Sequence, residues 1–385
     1  MPEPTVSASF PASPGEAERV DDWERSGAAV LTGRAGGPTL VPPGWAASLA
    51  KAMASLLPVE IEGPALLGER AAFTGQVRRG SVSASGACRL LPTTDGWAAV
   101  SCARPDDPVL LRALIEDEGP GEIWAAVARW LLQHSGAELA DRAALLGVAA
   151  HPVRPRPATV PALASSLRPA AGLRVVDFSA LWAGPLCANL LGLAGADIIK
   201  VETPGRPDGA RLGNRDFYRL LHAGHRSVVL DPGVARGRAA VAALTSSADI
   251  VIESSRPRAL AGWGLRPEGT AATWISITAA GRASARVGFG DDVAAGAGLV
   301  AWDDDGPMFA GDAIADPLAG LTAAARALGE PAGSLIEISM TDVVAGTVDG
   351  SHTTAARRPA PPRARQAAGE AHPPGADTDA VLREL

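Results

Sequence analysis

The run from Leu173 to Glu202 constrains this chain more than any other feature. LRVVDFSAL is a continuous apolar strand pattern that ends at the turn Trp182-Ala183-Gly184-Pro185. Pro185 suits the first turn of a helix, where its missing N–H is not needed. The helix LCANLLGLA then runs to Gly195, and ADIIKVE (Ala196–Glu202) reads as a second strand. A helical crossover between two strands makes them parallel. Further strands are predicted at Ser227–Asp231, Ala248–Ser254 and Trp274–Ala279, with a helix over Ala235–Thr245. Strands alternating with helices specify an α/β fold with a doubly wound parallel sheet.

The pattern differs ahead of that run. Trp97–Ala103 reads as a strand after the turn Thr93–Gly96, and helices are predicted over Val109–Ile115, Ile123–Ser135 and Ala137–Leu146. The organisation is thus a Rossmann-like large domain and a smaller α+β domain. Residues 1–20 are rich in Pro, Ser and Glu and read as disordered. Residues 21–151 form the small-domain-like region, 152–172 a Pro/Ala-rich linker, 173–350 the large domain and 351–385 a loop with a short C-terminal helix. A length of 385 residues fits two domains.

Composition excludes several function classes. The net charge is −7 and aromatics are 4%, so neither a basic footprint nor a base-stacking surface for nucleic acid is expected. Only Lys51 and Lys200 are lysines, which leaves no lysine-rich membrane anchor. No stretch is long and apolar enough to span a bilayer, and the first residues lack a signal-peptide core. Cys88, Cys102 and Cys187 share no short spacing, so neither a disulfide framework nor a cysteine zinc site is expected. A reducing, cytoplasmic setting follows from that usage.

Two segments resemble one another across the linker. Asp21-Asp22, SGAAVLTGRAGGP, WAASLAKAMASLLP and Val59–Glu62 are matched by Asp291-Asp292, AGAGLVAWDDDGP, DPLAGLTAAARALGEP and Ile336–Ser339. This reads as a duplication, with Trp45 in the first copy facing Asp316 in the second.

The chemistry legible from residues alone is sparse. Ligands of open α/β sheets bind beyond the carboxyl ends of the strands, where helix N-termini can hold phosphate. The Leu181–Pro185 turn is such a place, although it also reads as an ordinary βα turn; neither GxGxxG nor GxxxxGK[ST] occurs. Asp316-Pro317 has the form of an N-cap and N1 pair ahead of an amphipathic helix. A carboxylate there would be held ionised by the helix dipole, which suits a nucleophile. His222 and His225 read as part of a loop, and no histidine pattern indicates a metal site. Asp303–Pro307 reads as a solvated turn.

Larger motifs carry a family resemblance. Asp177-Phe178-Ser179, Ala183-Gly184-Pro185, Gly195–Glu202 and Pro204–Arg211 resemble, in order, the signature of family III CoA-transferases. This is the CaiB/BaiF family, with formyl-CoA transferase and α-methylacyl-CoA racemase in its superfamily. HAGHRSVVLD keeps that family's Arg226, Ser227, Leu230 and Asp231. ADIVIESSRPRALAGWGL keeps Ala248, Asp249, Glu253, Arg256, Pro257 and Leu265 but departs at Ser254, Ser255, Arg258 and Gly262. GDAIADPLAGLTAAARAL resembles the segment carrying the family's catalytic aspartate, and Asp316 occupies that position. RLLPTTDGWAAVSCARP, GVAAHPV and PPGADTDAVLREL resemble segments of the family's small domain and C-terminus, so small-domain material here precedes the large domain.

The resemblance implies a CoA-transferase acting on an acyl-CoA and a carboxylic acid, through an anhydride and then a CoA thioester of Asp316. It implies coenzyme A along Leu181, Trp182 and Ala183, with Leu230, Ser254, Ser255 and Arg256 near its adenosine and phosphates. Thr203 stands where Arg or Pro is usual. It further implies a homodimer, of the interlocked kind usual in the family, and no metal. Two alternatives are an inactive CoA-binding paralogue and an acyl-CoA racemase. The racemases pair the aspartate with an upstream histidine, where VGFGDD has Phe289 and no histidine.

Overall fold

The computed structural model describes residues 14–117, 119–158, 166–254 and 257–385. The N-terminal elements are α1 (Glu16–Arg25), β1 (Leu40–Val41), α2 (Ala46–Leu56) and α3 (Glu69–Thr74). Next come β2 (Cys88–Thr93), β3 (Gly96–Ser101), α4 (Asp107–Ile115), α5 (Ile123–Leu131), α6 (Gly136–Leu146) and β4 (Ala150–Pro152). The alternating region holds β5 (Arg174–Asp177), α7 (Ala183–Leu193), β6 (Asp197–Glu202), α8 (Arg215–His222), β7 (Arg226–Val229), α9 (Ala235–Ser246), β8 (Ile250–Glu253), α10 (Pro257–Ala261) and β9 (Thr273–Thr278). Then follow α11 (Gly290–Gly296), β10 (Val300–Asp303), β11 (Gly306–Phe309), α12 (Ala315–Gly329), β12 (Leu335–Ser339), α13 (Met340–Ala345), β13 (Thr354–Ala355) and α14 (Thr378–Arg383).

Six strands make one parallel sheet in the order β12-β9-β8-β5-β6-β7. Successive strand side chains point to opposite faces, and here both faces are apolar. Val175, Ile198, Ile250, Ile252 and Ile275 face the core that holds α7 and α12. Val176, Ile199, Val201, Val228 and Val251 face the other core, with Val241 and Leu244 of α9 and Val381 of α14. The sheet is therefore doubly wound, as its alternating pattern predicts. Strand order turns back between β5 and β8, which opens a crevice at their carboxyl ends.

Helix α12 is the centre of the larger core. Leu318 and Leu321 are buried, each contributing about 1.5–3 kcal/mol. At Gly320 the helix meets α7 so closely that an added Cβ would lie 2.6 Å from the Ala183 carbonyl oxygen. Leu49, Ala50 and Met53 of α2 pack into the same core. The small antiparallel sheet β2-β3-β4 has its own core, in which Val100, Leu111, Val127 and Leu139 join it to α4, α5 and α6. Residues 21–151 thus contribute to several cores, since Cys88, Leu90 and Ala99 also pack with Ala295, Val300 and Phe309.

The ends are more ordered than composition suggests. Residues 16–20, expected to be disordered, form the first half of α1, and Arg19 Nη1 donates to Ser351 Oγ at 2.9 Å. Proline-rich composition marked residues 152–172 as a linker; Pro152 closes β4 and Pro155 lies against Gly298, while 159–165 fall outside the described residues. The irregular tail is pinned by ion pairs. Arg365 Nε donates to Glu69 Oε1 at 2.8 Å, and Arg226 Nη1 donates to Glu384 Oε1 at 2.7 Å.

A buried charge group fixes the sheet's crevice. Lys200 Nζ, on β6, lies 3.4 Å from Asp177 Oδ2 on β5 and 3.0 Å from Asp208 Oδ2, and it donates to the Ser179 carbonyl. Burial alone would lower the lysine pKa, but the two carboxylates raise it above the usual range, so the ammonium stays charged. Replacing Lys200 with Met leaves two buried carboxylates without their cation. K200M should lose about 3–5 kcal/mol in urea unfolding; a loss near zero would contradict this role.

Candidate active site

The turn after β5 is held from both sides of the crevice. The Ala180 N–H donates to Ser254 Oγ at 3.1 Å, and the Leu181 N–H donates to Asp208 Oδ1 at 3.0 Å. These bonds hold Leu181 in the left-handed region, at φ +70°, which a branched side chain adopts only under constraint. The Leu181 side chain is 44% exposed, whereas Trp182 is buried. The structure thus brings Ser254 to the backbone just before Leu181, with Ala183 opening α7.

Other positions implied by resemblance lie along the same strand edge. Thr203 follows β6 and is partly buried in a bridge with Arg206. Leu230 follows β7, but its side chain belongs to the second core, so only its backbone faces the edge. Ser255 and Arg256 lie outside the described residues. His222 and His225, expected on a loop, are buried, with rings edge-on at 5.5 Å. Burial, then Lys200, pushes both pKa values down, that of His225 to about 3, and keeps both rings neutral.

A cavity of about 800 Å³ opens at the carboxyl ends of β8 and β9. Ser254, Ala279, Arg206, Arg282 and Arg286 line it from the side of the parallel sheet, and Arg104 from the loop after β3. Arg282 is bound by Glu253, and Arg104 by Asp107. Arg206 and Arg286 are exposed and have no side-chain ion pair among the described residues, so they can face an anion. A second cavity, of about 740 Å³, shares Ser284 and Arg286 with the first and includes His151. Asp316 and Trp182 line neither cavity.

Asp316 sits in an acidic cluster around one guanidinium. Helix α12 begins at Ala315 with Ile314 as its cap, and Asp316 makes no capping bond. The N-cap expectation is therefore corrected. The turn Gly311–Ala313 places Asp316 one position inside the helix, with Ala313 itself left-handed at φ +48°. The Ala313 N–H donates to Asp291 Oδ1 at 2.8 Å. Arg70, on α3, clamps Asp312 through two bonds, one of them Nε to Oδ2 at 2.8 Å. Beside Asp291, Asp292 accepts from Ser101 Oγ at 2.7 Å, and His151 Nε2 lies 3.2 Å from its other oxygen.

The electrostatics overturn the expectation of a dipole-held anion. Asp316 is partly exposed, yet desolvation is the largest influence and pushes its pKa up to about 7. Arg70 opposes that rise, while Asp291, Asp292 and Asp312 add to it. Desolvation, then Asp312, pushes Asp291 up to about 6. Burial and neighbouring carboxylates thus outweigh the helix terminus, which is worth about 0.3–1 kcal/mol at an exposed site.

Several residues of this cluster escape sequence reading. Asp291 and Asp292 enter the sequence reading only through the repeat and the VGFGDD segment, neither of which gives them a role, and His151 appears inside GVAAHPV. Arg70 lies in no motif; its role follows from α3 packing beside the Trp182 turn.

Residues 170–380 match the model of CoA-transferase family III. A succinyl-CoA–D-citramalate CoA-transferase of Chloroflexus aurantiacus is 37% identical over 105 residues, which are 26% of each chain. A formyl-CoA:oxalate CoA-transferase of Escherichia coli is 34% identical over 99 residues, 24% of each chain. The match thus spans about a quarter of the length of these curated relatives. Among solved structures, a hypothetical protein of Mycobacterium tuberculosis aligns with a TM-score of 0.43 at 27% identity, covering 47% of this chain and 57% of that one. A CaiB/BaiF family protein from Brucella suis aligns with a TM-score of 0.41 at 27% identity, covering 47% and 55%.

Gly290 tests the packing of the cluster. An added Cβ would lie 2.4 Å from Asp316 Oδ2 and 2.5 Å from the Ala313 carbonyl oxygen. Gly290→Ala should cost about 1–3 kcal/mol by thermal unfolding. Gly205→Ala, with nothing within 4 Å of its added Cβ, should stay within about 0.5 kcal/mol. Equal effects would show that the contact is not tight.

Proposed function

The chain belongs to CoA-transferase family III, and from that membership we propose that it moves CoA from an acyl-CoA to a carboxylic acid, with Asp316 as the nucleophile. The observation that carries this reading is Asp316 itself. It is a desolvated, partly exposed carboxylate with a pKa near neutrality, within the segment the family model matches. Desolvation strips the carboxylate of water that would otherwise blunt its attack, and positioning lowers the entropic cost. The names of the similar proteins put formyl-CoA and succinyl-CoA among donors of this kind, and oxalate and citramalate among acceptors.

The proposed sequence balances without an oxidant or ATP. An Asp316 carboxylate oxygen attacks the thioester carbonyl; the new C–O bond replaces the C–S bond, and CoA leaves as thiolate. The thiolate then attacks Cγ of Asp316, forming an aspartyl-CoA thioester and releasing the donor acid. The acceptor carboxylate attacks that thioester, giving a second anhydride and free thiolate. Finally the thiolate attacks the acceptor's carbonyl carbon, which yields the new acyl-CoA and restores Asp316. In this reading Arg206 and Arg286, on the wall of the first cavity, take the phosphates of CoA. Leu181 and Ser254 edge the crevice where the family places the cofactor.

Asp316→Asn should lower CoA transfer by at least about 10³-fold while leaving CoA binding within a few-fold, as read by isothermal titration. In the wild type, hydroxylamine added during turnover should convert Asp316 to a hydroxamate detectable by peptide mass spectrometry. Transfer at the wild-type rate by D316N would remove Asp316 as nucleophile. Exchange of the α-proton of an acyl-CoA without CoA transfer would favour racemase chemistry. Because the nucleophile is the ionised form, the transfer rate should climb with pH through about 7, the value its surroundings impose.

A further inference from the structure

We propose that Arg70 is a positioning residue of this site: clamped by Asp312 and stacked on Trp182, it fixes a positive charge beside Asp316 and ties the nucleophile to the turn at the sheet's crevice. The proposal deepens the reading of Asp316 as the reacting carboxylate and rests on it. Four contacts carry it. The Arg70 guanidinium makes two bonds to Asp312, which is fully buried. Its Cζ lies 4.9 Å from the centroid of the Trp182 ring. The Trp182 ring in turn meets Phe217 edge-on at 5.3 Å, and Phe217 meets Phe73 at 5.9 Å. Phe73 lies one turn beyond Arg70 on α3, so the helix that presents the guanidinium is packed against the residues that hold the ring.

The cation–π contact and the carboxylate clamp leave the guanidinium little freedom to swing away. A planar guanidinium can satisfy both at once, its edge on the carboxylate and its face on the ring; an ammonium cannot. Helix α3 is itself braced. Glu69, beside Arg70, is buried and accepts two bonds from the Arg365 side chain and one from its backbone N–H. The irregular tail therefore reaches the site through α3.

The charged groups acting on Asp316 are Arg70 from α3, Asp291 and Asp292 from α11, and Asp312 from the turn before α12. His151 and Ser101, from the small sheet, act on Asp292. Where α7 meets α12, Gly320 faces the Ala183 carbonyl and the Leu186 side chain. Arg70 is the one cation among the five largest influences on Asp316, against three carboxylates. Burial pulls the guanidinium's own pKa down, and Asp312 and its neighbours push it further up, so it stays charged. Loss of Arg70 should thus make Asp316 harder to ionise, and loss of Asp312 should make it easier.

The test is a direct titration of the ligand-free protein. Protein labelled with ¹³C at the aspartate carboxyl carbons is followed by NMR against pH, with D316N identifying the Asp316 signal. In the wild type that signal should move near pH 7, the value its surroundings impose. In R70Q its midpoint should rise by about 1–3 units, and in R70K it should rise less. In D312N it should fall, and in W182L it should rise because the guanidinium loses its platform. Opposite shifts in R70Q and D312N are a signature that general loosening of the fold would not produce. An unmoved midpoint in R70Q, or shifts of the same sign in R70Q and D312N, would overturn the proposal. If R70Q does not fold, R70K and D312N decide by the same signs. A wild type that titrates as expected but transfers no CoA would refute the proposed function and leave the placement of Arg70 intact.

Discussion

One guanidinium among four carboxylates sets the terms for the rest of this site. Asp291, Asp292, Asp312 and Asp316 converge where α11 meets the head of α12, and their charges cannot all be carried without compensation. Arg70 supplies the compensation by a clamp on Asp312, and His151 and Ser101 hold Asp292. The remaining charge falls on Asp291 and Asp316, whose pKa values rise toward neutrality. A carboxyl poised in this way is partly ionised near neutral pH and poorly hydrated. Much of the surrounding architecture serves to keep that cluster in place.

The large sheet provides the other half of the arrangement. Lys200 joins β5, β6 and the Asp208 loop by burying its ammonium between two carboxylates. Asp208 then fixes the Leu181 N–H, and the next residue, Trp182, carries the ring beneath Arg70. The chain of contacts thus runs from the sheet interior through the crevice turn to the acidic cluster. Both Leu181 and Ala313 sit in left-handed backbone conformations, each costing on the order of 1–3 kcal/mol, at the two turns that this chain links. Strain at those turns is tolerated because buried bonds to Asp208 and Asp291 hold each backbone.

The parallel sheet was legible because its signal is local. Strands such as Ile250–Glu253 are apolar on both faces, and crossover helices follow at short spacing. Asp316 was legible as a position because its segment keeps a recognisable pattern, but its charge state was not. Asp-Pro at a helix start reads as a cap, and apart from Asp312, four residues upstream, nothing in the local sequence reveals the carboxylates that fold onto it. Arg70, Ser101 and His151 come from the first part of the chain, far from Asp316 in sequence, and only tertiary packing brings them there. Residues 16–20 misled for a related reason. Their polar composition suggested disorder, yet Arg19 reaches across to Asp349 and Ser351, and Trp23 is buried one turn on.

The central claim is that the Asp316 carboxylate enters covalently into CoA transfer. An acceptor acid carrying heavy oxygen in its carboxylate tests this most directly, because the anhydride leaves one acceptor oxygen on the aspartate when the thiolate attacks the acceptor's carbonyl carbon. After many turnovers with an acyl-CoA donor, the peptide containing Asp316 should carry heavy oxygen on that side chain and on no other carboxylate. Full transfer of CoA with an unlabelled Asp316 peptide would contradict the account.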